Sequence, residues 1–197
     1  MFSVPTLVRS ALFGLALAVA GTTGAALVPA SAIAMPDERY STNEIVDSGH
    51  RFLNATSTAL GTLVERVVKR FGLPNGYILG EEGGGAFVGG LRYGEGVLYT
   101  KNAGDHRVFW QGPSIGWDFG GDGNRTMMLV YNLQDIDRVY RRFVGVSGQA
   151  YAIGGLGMTV MRHGDTILVP VRTGVGARLG VNVGYLKMRQ RPTWNPF

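Results

Sequence analysis

Two arginines and several aromatic residues are the strongest candidates for a ligand-binding site in this sequence. Arg92 and Arg178 each lie in a run where most alternate residues are glycine, so little else fills the space on that face. A guanidinium beside glycine can enter a cavity and pair with a phosphate or carboxylate group. It can equally lie on a solvated outer face, the usual place for arginine. The aromatic residues grouped with them as ligand-binding candidates are Tyr93, Trp110, Trp117, Tyr151 and Tyr185.

One serine lies in a motif that some hydrolases use, but its surroundings favour a turn. The run Gly112-Pro-Ser-Ile-Gly116 matches the G-x-S-x-G pattern of a nucleophile elbow. That elbow needs a strand, a sharp turn and then a helix, whereas residues 115–119 alternate as a strand does. We therefore predict a glycine–proline turn and no catalytic residue. A serine hydrolase acting on an envelope component through Ser114 is the alternative.

The residues able to bind a metal ion do not form a recognisable motif. Asp118, Asp122 and Asn124 offer oxygen ligands, but their spacing does not match a calcium loop, and Asp or Asn beside glycine is typical of turns. The histidines stand singly, at positions 50, 106 and 163. The chain has no cysteine, which excludes disulfides, thiol catalysis and zinc–thiolate sites. We predict neither a metal site nor a cofactor.

The spacing of apolar residues predicts that these candidates are carried mainly by β-strands. Runs at 87–99, 115–119 and 174–185 alternate with a period of two, and turn signals separate them. Glycine accounts for 31 of 197 residues, and 24 of these lie between residues 80 and 184. Glycine in a strand permits sharp bends and close approach of a facing wall. We predict a small glycine-rich antiparallel β-barrel of six to eight strands over residues 77–188.

Helical patterns flank and interrupt the predicted strands. Residues 35–76 combine a linker, a capping box at Ser41–Glu44 and apolar residues spaced by three or four. This predicts one long amphipathic helix over about 43–71, or two shorter helices kinked near Gly61. A short internal helix is predicted over Gln134–Phe143, because acidic residues occupy its first turn and basic residues its last.

The apolar stripe of the N-terminal helix can either pack on the barrel or lie on a membrane surface. The stripe is wide enough to be core, and a small glycine-rich barrel needs a cover for its apolar outer face. We therefore predict packing on the barrel. Arg66, Lys69 and Arg70 at the helix end are candidate membrane contacts, each adding about 1 kcal/mol near an anionic surface.

The first 34 residues are typical of a cleavable secretory signal. Arg9 precedes an apolar run at residues 11–20, and Ala32-Ile-Ala34 fits the small-residue cleavage rule. A permanent anchor is the alternative, but the apolar run is too short to span a bilayer comfortably. We expect secretion into the periplasm and no integral membrane segment after cleavage.

The overall charge and the last residues limit the possible partners. A net charge of +5 is too modest to predict nucleic-acid binding by itself. Residues 189–197 form a basic, aromatic tail that we expect to lie on the barrel or to contact a partner. Pro192 and Pro196 argue against the final strand of an outer-membrane barrel. An outer-membrane-associated barrel is kept as a further alternative.

Glycine-rich and tryptophan-containing runs resemble known families. Gly83–Tyr99 resembles the opening of the SYLF lipid-binding domain, and Gln111–Asp122 and Gly174–Leu186 are similar to the envelope integrity protein A (EipA) family of Gram-negative bacteria. The second resemblance implies a small soluble periplasmic β-barrel with a role in envelope integrity and no known reaction. Lipid binding belongs to the wider SYLF group and is an analogy here. We expect a non-enzymatic protein that binds a lipid, a glycan or an envelope protein.

Overall fold

Eight antiparallel strands close into a barrel in the part of the chain that the computed structural model describes, residues 38–55, 57–85, 91–113, 124–173 and 184–193. The strand order is β1-β2-β3-β8-β5-β6-β7-β4, closing back on β1. The strands are β1 (Gly76–Gly85), β2 (Leu91–Thr100), β3 (Gly104–Pro113), β4 (Asn124–Tyr131), β5 (Arg142–Ile153), β6 (Leu156–His163), β7 (Thr166–Thr173) and β8 (Tyr185–Arg189). The predicted glycine-rich antiparallel barrel is confirmed.

The two faces of β4 belong to two different hydrophobic cores. Met127, Leu129 and Tyr131 pack in a cluster that includes the N-terminal helices. Met128 and Val130 point the other way, into a cluster that contains no residue of those helices. Because the helices lie outside the barrel, this second cluster fills its interior. Its other buried members are Ile78, Leu98, Val108, Trp110, Val139, Phe143, Met161, Leu168, Leu186 and Met188.

The N-terminal amphipathic segment forms two helices, α1 (Thr42–Leu53) and α2 (Ser57–Phe71). The predicted capping box is present: the Ser41 hydroxyl accepts from the Glu44 backbone N–H at 3.3 Å, and the Ser41 N–H donates to the Glu44 carboxylate at 2.7 Å. The division into two helices matches the second of the sequence predictions, but the predicted position of the kink is wrong. Gly61 lies inside α2, whereas α1 ends at Leu53. The next residue, Asn54, caps it with a left-handed φ of 50°, which asparagine tolerates better than most residues.

The apolar stripe of the helices packs on the outside of the barrel, as predicted. Leu60, Leu63, Val64 and Val67 of α2 are buried together with outward-facing residues of β4, β6 and β7. The basic side chains at the end of α2 remain exposed, including Lys69. No helix in the described ranges is long and apolar enough to cross a membrane.

The internal helix is present but is much shorter than predicted. Ile136–Arg138 form one 3-10 turn, and the predicted extent of Gln134–Phe143 is wrong, because β5 already begins at Arg142. Phe143 pairs with Leu186 of β8 and is fully buried in the barrel interior. Strand pairing and burial of this phenylalanine therefore outweigh the helical charge pattern.

Candidate ligand-binding site

An ion cluster lies inside the barrel near the end where β1, β3 and β7 finish. Glu82, Trp110 and Arg172 lie in the last four residues of these strands, and Arg92 is the second residue of β2, at the same end. Glu82 shares the inward face of β1 with Ile78, and Arg172 shares that of β7 with Leu168, since side chains two apart in a strand point the same way. The strand order thus brings four distant positions together.

Glu82 is the centre of this cluster. The indole N–H of Trp110 donates to Glu82 Oε2 at 2.8 Å, and Arg172 Nη2 donates to the same oxygen at 3.4 Å. Arg172 Nε lies 3.1 Å and Arg92 Nη1 lies 3.8 Å from Oε1. Burial by itself raises the pKa of Glu82, but the charges of Arg172 and Arg92 and the indole hydrogen bond outweigh it and hold that pKa below its ordinary value. The carboxylate is therefore ionised at neutral pH.

Glycines of β1 and β2 make room for the Trp110 indole. A Cβ placed on Gly80 would lie 2.6 Å from Trp110 Cη2, and a Cβ on Gly94 would overlap the indole ring itself. Both glycines share the inward face with Glu82. Close approach is thus the reason for a glycine face in β1 and β2, and the same expectation for residues 174–183 falls outside the described residues.

A groove of about 660 Å³ lies on the outer face of β1, β2, β3 and β8, and we call it the β1–β8 groove. The registers build it in rows: Glu81 lies opposite Glu95, which lies opposite Phe109, which lies opposite Arg189. A neighbouring row contains Gly83, Tyr93, Gln111 and Lys187. The segment 191–193 forms a further wall, so the chain beyond β8 helps to shape the site.

The β1–β8 groove places aromatic surface between charges of opposite sign. Tyr93 and Phe109 offer ring surfaces, with Glu81 and Glu95 on the β1–β2 side. Lys187, Arg189 and Arg191 lie on the opposite side. Glu95 also pairs with the exposed Arg107 at 3.8 Å. Such a site can hold the apolar part of a ligand on the rings while charged groups fix its orientation.

Among the sequence-predicted ligand residues that the structure describes, two come together in the ion cluster and three lie elsewhere. Arg92 and Trp110 meet at Glu82 inside the barrel. Tyr93 points outward into the β1–β8 groove. Tyr185 lies on the outer face of β8, where the Arg142 guanidinium is 4.7 Å from its ring centroid. Tyr151 lies on the outer face of β5, where the Arg66 guanidinium of α2 is 4.9 Å from its ring centroid.

Several other predicted positions lie outside the described residues or stand alone. Trp117, Arg178, Ser114, Asp118 and Asp122 lie outside the described residues. Each of the three histidines has a ring nitrogen within 3.0 Å of a backbone carbonyl oxygen, at residues 55, 103 and 142. Within the described ranges, no three His, Cys, Asp or Glu side chains group so as to hold a metal ion.

Sequence reasoning missed residues whose roles depend on strand neighbours. Arg172 is the one charged residue of β7, an otherwise apolar strand, and this contrast was a usable signal. Glu82 lies four residues after the apolar Ile78 in the same strand, so the two side chains share a face, and this also predicts an inward carboxylate. No local pattern shows that β1 lies between β2 and β4, so the meeting of Glu82 with both arginines was not predictable. Phe109, Lys187 and Arg189 were missed for the same reason.

The fold and the groove define a class: a small, filled β-barrel with a helical cover and a ligand-sized outer groove. The family model of envelope integrity protein A matches residues 38–197, and the chain belongs to this family, confirming the predicted resemblance. A crystal structure of a β-barrel-like, uncharacterised protein from Brucella abortus is 61% identical, covering 81% of this chain and 99% of that chain with a TM-score of 0.75. Comparison with curated proteins finds no match. Family and fold together fit an envelope-associated protein.

Proposed function

We propose that this protein supports the cell envelope from the periplasm as a non-enzymatic binding protein. The family to which the chain belongs is named for envelope integrity, which supports a role in the envelope. The secretory pattern of residues 1–34 supports export, and the family match begins at residue 38, just after the expected cleavage site. The ligand is an envelope component, a lipid, a glycan or a protein segment.

The β1–β8 groove is the observation that carries this proposal. Its volume of about 660 Å³ lies within the roughly 300–1,000 Å³ range of small-molecule sites. Tyr93 and Phe109 supply the apolar contact, and the charges around them supply specificity. The ion cluster supports this wall from inside, because Trp110 and Glu82 belong to the same two strands as Phe109 and Glu81.

The residues lining this groove favour binding over catalysis. Among its described lining residues there is no serine, histidine or cysteine, so the usual pairing of a nucleophile with a general base is missing there. The carboxylates Glu81 and Glu95 are cross-strand neighbours of β1 and β2, and both are exposed on the outer face. A hydrolase acting through Ser114 remains the alternative, and that residue lies outside the described residues.

The proposal is tested by complementing a deletion strain with groove variants and measuring growth on detergent or an envelope-active antibiotic. We expect Tyr93→Ser combined with Phe109→Ser to lose complementation while protein level and thermal unfolding stay near those of the wild type. Tyr99→Ser is the matched control, on the same outer face of β2 but outside the groove.

Two results would count against the proposal. Full complementation by the Tyr93→Ser, Phe109→Ser variant would remove the groove from the function. Loss of complementation by a folded Ser114→Ala variant would favour the hydrolase instead.

A further inference from the structure

A second groove, of about 530 Å³, lies on the other side of β8, and we call it the β5–β8 groove. All of its charged residues in the described part of the chain are cations. They are Arg141, Arg142, Lys187, Arg189 and Arg191. The β1–β8 groove contains carboxylates as well, so the two grooves differ in charge although they share the β8 residues.

The strand register holds these cations close together. Arg142 of β5 lies directly opposite Lys187 of β8, and Arg189 follows two residues later on the same outer face. Like charges directly opposite one another in a sheet are destabilising. Partial burial, and after it the positive charges of Arg189 and Arg142, lower the pKa of Lys187. The side chains are therefore near enough for their charges to interact.

The neighbouring carboxylates do not line this groove. Asp137 lies in the 3-10 turn before β5, and the pKa of the Tyr140 phenol is raised first by burial and then by the charge of Asp137. Glu95 lies across β3 and pairs with Arg107. A patch that combines four arginines and one lysine favours a multivalent anion, because guanidinium groups bind the oxygens of phosphate two at a time.

We propose that the β5–β8 groove binds a phosphate-bearing ligand. This site goes beyond the proposed function, because Arg141 and Arg142 line this groove and not the β1–β8 groove. A phospholipid head group and a soluble phosphorylated molecule share the required chemistry. The phosphate oxygens would take up the positive charge that the fold concentrates beside β8.

The test uses the exported protein, purified without its secretory signal, and two probes. The first probe is vesicles containing phosphatidylglycerol, compared with vesicles of phosphatidylcholine alone. The second is soluble pyrophosphate, measured by titration calorimetry. We expect binding to at least one probe that weakens as salt is raised, and about a tenfold loss of affinity in Arg141→Glu with Arg142→Glu.

A matched control separates a local site from general charge attraction. Arg39→Glu with Arg51→Glu changes two exposed cations that line neither groove and are not candidate membrane contacts, and it lowers the net charge by the same four units. We expect this variant to retain at least half of the wild-type affinity. Reversal at Arg142 replaces a repulsive pair with Lys187 by an attractive one, so the barrel should stay folded. If the Arg141→Glu, Arg142→Glu variant does not fold, Arg141→Gln with Arg142→Gln provides the same comparison.

Each outcome decides the proposal. Binding to phosphatidylglycerol vesicles, with or without binding to pyrophosphate, supports a head-group site, and binding to pyrophosphate alone supports a soluble ligand. No binding to either probe, or an equal loss in the Arg39→Glu, Arg51→Glu control, overturns the phosphate site. In that case the proposed function still stands if the Tyr93→Ser, Phe109→Ser variant fails to complement.

Discussion

Glu82 is buried between two guanidinium groups and an indole, so its charge should matter to stability. The residue is 8% exposed, and Glu82→Gln leaves Arg92 and Arg172 facing a neutral amide. We predict a loss of about 3 kcal/mol in the free energy of unfolding at pH 7, measured by urea denaturation. Glu81→Gln, one residue away on the outer face, should change it by less than about 0.5 kcal/mol. Equal effects of the two variants would contradict this role.

The same comparison has a defined pH dependence. The pKa of Glu82 lies below its ordinary 4.5 in the folded protein, so the unfolded chain takes up a proton first as the pH falls. The stability that Glu82 supplies is complete above that ordinary value and is lost as the pH falls through the lower, folded value. The difference in the free energy of unfolding between wild type and Glu82→Gln should therefore decrease as the pH falls from 5 to 3. A difference that stays constant over this range would contradict this account.

Glycine at position 94 should be required by the Trp110 indole. A Cβ there would overlap the indole ring, so we predict that Gly94→Ala destabilises the protein by about 1–3 kcal/mol. Gly61→Ala is the control, since nothing lies within 4 Å of its added Cβ and alanine favours the helix by about 0.5–1 kcal/mol. The midpoint temperature of thermal unfolding should fall in Gly94→Ala and rise in Gly61→Ala.

Alternation made the facing of individual side chains predictable, but not their partners. The inward position of Arg92 follows from its place among the glycines of β2. Its ion pair with Glu82 depends on the register of β1 against β2, which sets Gly84 opposite Arg92. No feature of either strand specifies that register locally, so the ion cluster appears only once the strands are paired.

The helices should stabilise the barrel through their apolar side chains rather than their charges. Leu63 of α2 is fully buried against the outer strands, and we predict that Leu63→Ala costs about 2–5 kcal/mol. Arg66→Glu with Lys69→Glu should change the free energy of unfolding by less than about 0.5 kcal/mol, because both side chains are exposed. Strong destabilisation by the charge variant would show that the Arg66 contact with Tyr151 is structural.

The elements that were predicted well are those with a long, regular pattern. The amphipathic stripe and capping box of α1 and α2 suffice to predict helices that pack on something apolar. The pattern over Gln134–Phe143 is short, and its last residues gain more by pairing with β8 than by continuing a helix. Helix periodicity over fewer than three turns is thus easily outweighed by burial of one large side chain.

Export predicts a defined mass for the protein recovered from the periplasm. Cleavage after Ala34, or next after Ala32, should remove the N-terminal segment without adding an acyl chain, since the sequence has no cysteine to lipidate. Intact-mass spectrometry of the osmotic-shock fraction measures this directly. A retained Met1, or an added acyl mass, would contradict cleavage at this site.

The closed barrel was predictable as a class, while its strand order was not. Regular turn signals and glycine-rich alternation limit the number of strands to six to eight, and eight are found in the described residues. The insertion of β8 between β3 and β5 brings Lys187 opposite both Gln111 and Arg142. Such contacts join residues far apart in the chain, and burial of the shared interior stabilises them collectively.

The position of β8 also has a consequence for how the protein is made. It is the last of the described strands in chain order, yet it closes the sheet between β3 and β5. As the exported chain enters the periplasm from its N-terminus, these two strands expose open edges until residues 185–189 have followed. Open edges attract other strands and lead to aggregation. We expect the incomplete chain to need a chaperone until β8 is available to pair with β3 and β5.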